Sequence, residues 1–291
     1  MVNSLEALLD RAIDYAGLFP PAALPLEEAV AEFSELLAGP NAWMVNRFVC
    51  PVAWLDDFSR LLPKEVSEPW PITVLGTSVE GFRQDLNLIE RFEELGGERV
   101  SVEGYEVKAQ KSEMTDGLLN RIEDADFDEA YIEIPWRTEL AEFLHPLVDH
   151  DGLGAKARTG GLEADKFPTS EEVADFIHEC VSLDVPFKLT AGLHHPFPRF
   201  DQEIGARMHG FLNILVATAF AGPLDLSRAE LVQIIAEDDP SKFVFHDAGV
   251  RFGQWGLNLD ELNFGRLMFS SWGSCSVQEP IDDLTAAKLF P

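Results

Sequence analysis

Short apolar runs alternate along this chain with longer stretches in which hydrophobic positions recur every third or fourth residue. The first pattern predicts buried strands and the second amphipathic helices. Side chains switch face at every residue of a strand but return to one face about every 3.6 residues of a helix. Strands are expected at 12–19 (AIDYAGLF), 43–51, 71–78, 99–107 (RVSVEGYEV), 130–136 (AYIEIPW), 153–161 (LGAKARTGG) and 186–193 (PFKLTAGL). An eighth is expected at either 242–250 or 266–276. Helices are expected at 25–37, 82–95, 111–124, 168–183, 209–221 and 279–290. The clearest is 168–183, where Ser170 is a good N-cap and Val173, Phe176, Ile177 and Cys180 form one apolar stripe.

A strand followed by a helix, repeated about eight times at spacings of roughly 25–35 residues, is the rhythm of a single-domain α/β (β/α)8 TIM barrel. The alternative is an open doubly wound parallel sheet, which usually carries a glycine-rich first turn that this chain lacks. The sequence has no Gly-, Pro- or Ser-rich linker and no repeat, so residues 1–291 are expected to form one domain. Its irregular parts are a loop near 194–210 and a C-terminal tail over 270–291.

In a closed barrel, one face of each strand meets the helices and the other points inside, where the C-terminal strand ends line the active site. Placing the apolar positions against the helices sorts the rest. Phe187, Leu189 and Ala191 face outward, so Lys188 and Thr190 face inward; Leu153, Ala155 and Ala157 put Lys156 and Arg158 inside. Ile132 and Ile134 likewise put Tyr131 and Glu133 inside, and Val100 and Val102 put Ser101 and Glu103 there, with Tyr105 a further candidate. Four consecutive strands thus aim Glu103, Glu133, Lys156, Arg158 and Lys188 at one cavity. Burying an unpaired charge costs on the order of several kcal/mol, so such a group is either a satisfied ion network or a reaction centre. Three positive charges against two negative favour an anionic ligand such as a carboxylate or phosphate.

Other residues join by position. His194 and His195 follow the seventh strand at its mouth and are candidates for a base, a substrate hydrogen bond or, with His209 and Glu133, a metal ligand. His209 and Asn213 lie one helical turn apart and are candidate substrate contacts, as are Thr190 and Asp14. Met208, Phe211 and Leu212 read as core, and Cys275 as part of a tight turn of small residues. Arg47 stays unassigned, because the alternation of WMVNRFV reads either way.

Composition narrows the class. An apolar fraction of 46% with 21 Phe fits a packed globule, and no long uncharged apolar window predicts a membrane span. The N-terminal stretch lacks the pattern of a secretory signal. The 51 acidic residues against 22 basic ones, a net charge of −29, would repel phosphate backbones and argue against nucleic acid. The same acidity fits an ordinary soluble surface or adaptation to salty surroundings. Three widely spaced cysteines predict reduced thiols in a cytoplasmic protein and show no zinc spacing.

GAKARTGG, then the helix SEEVADFIHECV, then VPFKLTAGL resemble the core of deoxyribose-phosphate aldolase, a class I aldolase family on a (β/α)8 barrel. The resemblance covers about residues 153–193. It implies that Lys156 matches the Schiff-base lysine and Lys188 the second active-site lysine. It also implies that Glu103 stands on the strand of a proton-shuttling acid. Arg158 replaces a small polar residue of that pattern, and GLHHP replaces its glycine-rich phosphate turn. Most of the chain resembles an uncharacterised bacterial (β/α)8-barrel family. Its hallmarks are DYAGLFPPA (14–22), R-x-G-G, FK-x-TAGLHHP, HGF-x-N (209–213) and GSCS-x-x-EP (273–280).

The first expectation is therefore an aldolase-like lyase or isomerase of a small anionic carbonyl metabolite, needing no cofactor or metal. Lys156 or Lys188 would form a Schiff base, Glu133 or Glu103 would move protons, and Arg158 would hold the anion. A second is a metal-dependent barrel enzyme using Glu133, His194 or His195, and His209. A third is a non-catalytic binding protein whose inward charges lock the barrel. Neither nucleic acid nor membrane is an expected partner, and a homo-oligomer stays open.

Overall fold

In the computed structural model, which describes residues 3–78 and 80–290, eight parallel strands close into a barrel. They are β1 (Ile13–Tyr15), β2 (Val45–Pro51), β3 (Trp70–Leu75), β4 (Val100–Lys108), β5 (Glu129–Glu133), β6 (Leu153–Arg158), β7 (Phe187–Thr190) and β13 (Phe269–Ser274). β13 pairs with β7 on one side and β1 on the other, and β1 pairs with β2, so the cylinder has no edge. This is the TIM barrel, not the open sheet.

Helices α1 (Asn3–Leu9), α2 (Leu26–Ala38), α3 (Leu55–Leu61), α4 (Phe82–Gly96), α5 (Asp116–Glu123) and α6 (Leu140–Leu144) belong to the first half of the ring. α7 (Ser170–Ser182), α8 (Phe211–Ala221), α9 (Arg228–Ala236), α10 (Leu259–Arg266) and α11 (Gln278–Ala286) belong to the second. α7 shows how its sequence sets its start. Its N-cap is Thr169, one residue before the expected Ser170, because Glu172 sits where a reciprocal box needs it. The Glu172 N–H donates to Thr169 Oγ1 at 3.2 Å, and the Thr169 N–H donates to the Glu172 carboxylate at 2.7 Å. Val173, Phe176, Ile177 and Cys180 are buried, as their spacing requires.

The segment between β7 and β13 departs from the simple alternation. The loop near 194–210 contains a hairpin, β8 (Arg199–Asp201) with β9 (Ala206–Met208). Residues 242–250 are not the eighth barrel strand. A turn at Asp247–Ala248 cuts that run into β10 (Phe243–His246) and β11 (Gly249–Phe252), which pair antiparallel and are joined by β12 (Trp255–Asn258) outside the barrel. The other expected segment, 266–276, supplies the closing strand, so what read as a C-terminal tail from 270 begins inside the barrel wall.

α8 is buried on every side, as an all-apolar helix should be. It crosses α10 at Gly265, where an added Cβ would lie 2.1 Å from the Ala219 carbonyl oxygen. Gly265→Ala is expected to push the helices apart and cost about 1–3 kcal/mol, seen as a lower urea midpoint. Cys50, Cys180 and Cys275 are free and buried. Among the described residues no helix is long and apolar enough to cross a membrane.

Candidate active site

The polar groups at the centre of the barrel are placed by strand parity, and in β4 that parity changes partway along the strand. The β3–β4 register slips between Ile72 and Thr73, so Val102 faces Ile72 but Gly104 faces Thr73. One extra residue in β4 shifts the alternation. Gly104 suits the slip, because a Cβ there would lie 2.6 Å from Thr73 Oγ1. Beyond it Tyr105 and Val107 are buried, and the Tyr105 hydroxyl donates to Asp85 of α4 at 2.9 Å. Tyr105 is thus on the helix side, and Glu106 is the residue that points inside.

Glu103 is therefore corrected. It lies toward the N-terminal end of the barrel, where it accepts from Arg47 Nε at 3.0 Å and Arg11 Nη2 at 3.1 Å. With Ser101, Asn46 and Arg11 it lines a second cavity, of about 740 Å³, at that end. Arg47 also donates to Glu129 at 2.6 Å, and Glu129 accepts from Ser270 at 2.8 Å, which makes a lower ionic layer. In barrels of this kind that end serves stability rather than catalysis.

Glu106 gathers the upper layer. One carboxylate oxygen accepts from Lys156 Nζ at 2.5 Å and the other from Lys188 Nζ. β6 and β7 set these lysines side by side, since Lys156 and Lys188 are register partners; Glu133 is the register partner of Lys156 on β5. Lys156 reaches Glu133 at 3.0 Å, and Arg158 Nε stands 3.7 Å from the other Glu133 oxygen. Lys188 also donates to Asp14, and its amine lies 5.5 Å from the centre of the Tyr131 ring. Asp14 accepts in addition from Asn46 at 2.9 Å and Ser271 at 2.6 Å.

Burial pushes the Glu106 carboxyl up, but the charges and hydrogen bonds of Lys156 and Lys188 outweigh it and hold the group at about 2. Burial likewise favours a neutral Lys188, yet Asp14 and Glu106 outweigh it and hold that amine above the usual lysine range. For Glu133 burial is again the largest influence, opposed and overcome by Lys156 and Arg158, so its carboxyl sits below the usual range. The expected excess of positive charge does not survive this count. Lys156, Lys188 and Arg158 are balanced by Asp14, Glu106 and Glu133.

Above this floor, at the C-terminal strand ends, opens a cavity of about 780 Å³. Lys156, Lys188, Glu106, Glu133, Arg158 and Thr190 line it, as do His194 and His195. The two histidines are anchored by the last helix. His194 Nδ1 lies 3.1 Å from Glu279, and His195 Nδ1 lies 2.5 Å from Asp283.

Three expected substrate contacts lie elsewhere. Asp14 is fully buried beneath Lys188, where it positions that lysine and does not line the cavity. His209 is buried and bonds the Pro168 carbonyl through Nε2 at 2.8 Å. Asn213 donates to the carbonyls of Ile234 and Glu237, both at 2.7 Å, tying α8 to the end of α9. The expected metal set of Glu133, His194 or His195, and His209 does not converge, and among the described residues no three His, Cys, Asp or Glu side chains form a group fit for a metal. Met208, expected in the core, belongs to a separate cluster at the cavity.

Glu106 was missed because parity was counted from Val100. Counted back from Tyr105 and Val107, with Gly104 as the mark of a bulge, the same strand points Glu106 inward. Comparison with protein-family models, curated proteins and solved structures finds no match to this chain, so the chemistry of the site carries the functional reading.

Proposed function

We propose that this protein is an aldolase-like lyase or isomerase that takes a small anionic carbonyl compound onto Lys156 as a Schiff base. The observation that carries the reading is the convergence of two buried lysine amines on one carboxylate at the floor of an open cavity. Lys188 is engaged by Asp14 and Glu106 and stays protonated, so it supplies charge and not a lone pair. Lys156 has Glu133 as a second partner, nearer the opening. The Lys156 nitrogen attacks the carbonyl carbon as its proton passes to Glu133, and the carbinolamine hydroxyl leaves as water with that proton. While Lys156 is neutral, the attraction that lowers the Glu133 pKa is weakened, so Glu133 can hold the proton until it is returned to the departing hydroxyl. The protonated imine then accepts the electron pair of the adjacent carbon–carbon or carbon–hydrogen bond as it breaks, forming an enamine, while the Glu133 carboxylate takes the proton released from that carbon or from the hydroxyl of the departing carbonyl fragment. Reprotonation and hydrolysis return the lysine. Arg158 faces the cavity and holds the substrate's anionic group.

Reduction with borohydride in the presence of glyoxylate, pyruvate or short aldehydes tests this. Hydride adds to the imine carbon and leaves a stable secondary amine on the lysine. Mass spectrometry is expected to find the adduct on the peptide containing Lys156. Unmodified protein across the panel would overturn the proposal.

A further inference from the structure

We infer that the ligand of this cavity is a monoanion with an apolar tail, an aryl- or branched-alkyl carbonyl acid and not a phosphorylated sugar. The inference rests on the reading of Lys156 as the carbonyl-binding group and adds what the rest of the molecule is.

The cavity has two tiers. Its floor is ionic, whereas Phe19, Leu162, Phe167, Ile204 and Met208 line the space above. Phe167, Ala206 and Met208 form a hydrophobic cluster of their own, apart from the main core, with Ile204 packed on it. The β8–β9 hairpin supplies all of this cluster except Phe167. Leu162, 69% exposed, stands at the same cavity. An apolar wall facing water gains free energy only when something apolar covers it.

Charge points the same way. The cavity is lined by five basic and six acidic side chains, a formal charge of −1 with neutral histidines. Glu163, Asp201, Glu203 and Glu279 are among the acids, and a dianionic phosphate would meet their repulsion. Of the bases, Lys156 and Lys188 are engaged on the floor and Lys166 bonds Asp165. Arg199 stands exposed on the hairpin. Arg158 is 54% exposed and only 3.7 Å from its Glu133 partner, so its guanidinium has donors free for one carboxylate. Lys156 and Arg158 lie two residues apart on one face of β6, about 7 Å along the strand. A ligand with its carbonyl at Lys156 and its carboxylate at Arg158 would lay its tail along the apolar wall.

Equilibrium binding of carboxylates that contain no ketone or aldehyde tests the inference apart from the Schiff base. Acetate, butanoate, hexanoate, 3-phenylpropanoate and inorganic phosphate would be titrated against the full chain by calorimetry. Affinity is expected to rise about four-fold per added methylene, with phosphate the weakest ligand. Leu162→Ser, at an exposed position that tolerates polarity, is expected to lose several-fold affinity for hexanoate and 3-phenylpropanoate and none for acetate. Met208→Ser is expected to do the same more strongly. Affinity independent of chain length, or phosphate binding tighter than every carboxylate, would overturn the inference. Rising affinity without a borohydride adduct would remove the Schiff base and keep the apolar subsite. An adduct with flat affinity would do the reverse.

Discussion

Glu106→Leu is expected to cost about 3–5 kcal/mol of folding stability, since removing one member of a buried ion group leaves charge without a partner. Glu106 is the shared counter-charge of both floor lysines. Without it three cations, Lys156, Lys188 and Arg158, face two carboxylates, Asp14 and Glu133. The acid dependence gives an independent handle. A carboxyl held below its unfolded value contributes stability that is fully present above the unfolded pKa and is lost as pH falls through the folded one. For Glu106 these are 4.5 and about 2, which corresponds to roughly 3 kcal/mol. Urea midpoints of wild type and variant should therefore differ widely at pH 5 and 6 and converge as pH drops from 4.5 toward 2. Adding Lys156→Met to Glu106→Leu leaves two neutral pairs, Lys188 with Asp14 and Arg158 with Glu133. The double variant is expected to recover most of the loss, a coupling of about 2 kcal/mol or more in a double-mutant cycle. A double variant as unstable as the single one would refute the counter-charge role.

The dependence of this layer on parity explains which parts could be read from sequence. On β5, β6 and β7 the alternation is regular, so the inward positions of Glu133, Lys156, Arg158, Lys188 and Thr190 were legible from the isoleucines, alanines and leucines between them. On β4 a single bulge moves the cavity residue three positions along, from Glu103 to Glu106, and only Gly104 marks it. The closed cylinder was legible from the strand–helix rhythm, but the identity of its last strand was not. Residues 242–250 and 266–276 have similar apolar content, and pairing with β1, more than 250 residues earlier, decides between them. Long-range partners were equally out of reach. Nothing near His194 or His195 announces Glu279 and Asp283 on the last helix. Likewise nothing near Asp14 says that Lys188, 174 residues away, will bury it. His209 and Asn213 are four residues apart, but α8 begins only at Phe211, so His209 precedes the helix, and the polar atoms of the two residues meet backbone carbonyls of Pro168, Ile234 and Glu237. A four-residue spacing puts two side chains on one side of a helix only where the helix spans both, and it leaves open what that side meets.

Replacing Lys156 separates charge from nucleophilicity and carries the largest functional effect. Lys156→Arg keeps a cation between Glu106 and Glu133, so its stability is expected to stay near that of the wild type. A guanidinium is protonated at every accessible pH and has no lone pair to offer a carbonyl. Turnover of any substrate identified by trapping is expected to fall on the order of 10³-fold or more, and the borohydride adduct to vanish. Lys156→Met should lose activity to the same extent. It also leaves the floor one negative charge in excess, so the Glu133 and Glu106 carboxyls lose the cation that helps to lower them and titrate at higher pH than in the wild type. The pair of variants thus matches in activity and differs in acid titration, a pattern that a purely structural lysine would not produce. Lys188→Arg is expected to retain the adduct, because the role assigned to Lys188 is positive charge beside Glu106 and Asp14. Peptide mapping that places the adduct on Lys188, or Lys156→Arg that still turns substrate over at the wild-type rate, would reverse the roles of the two lysines or remove the imine altogether.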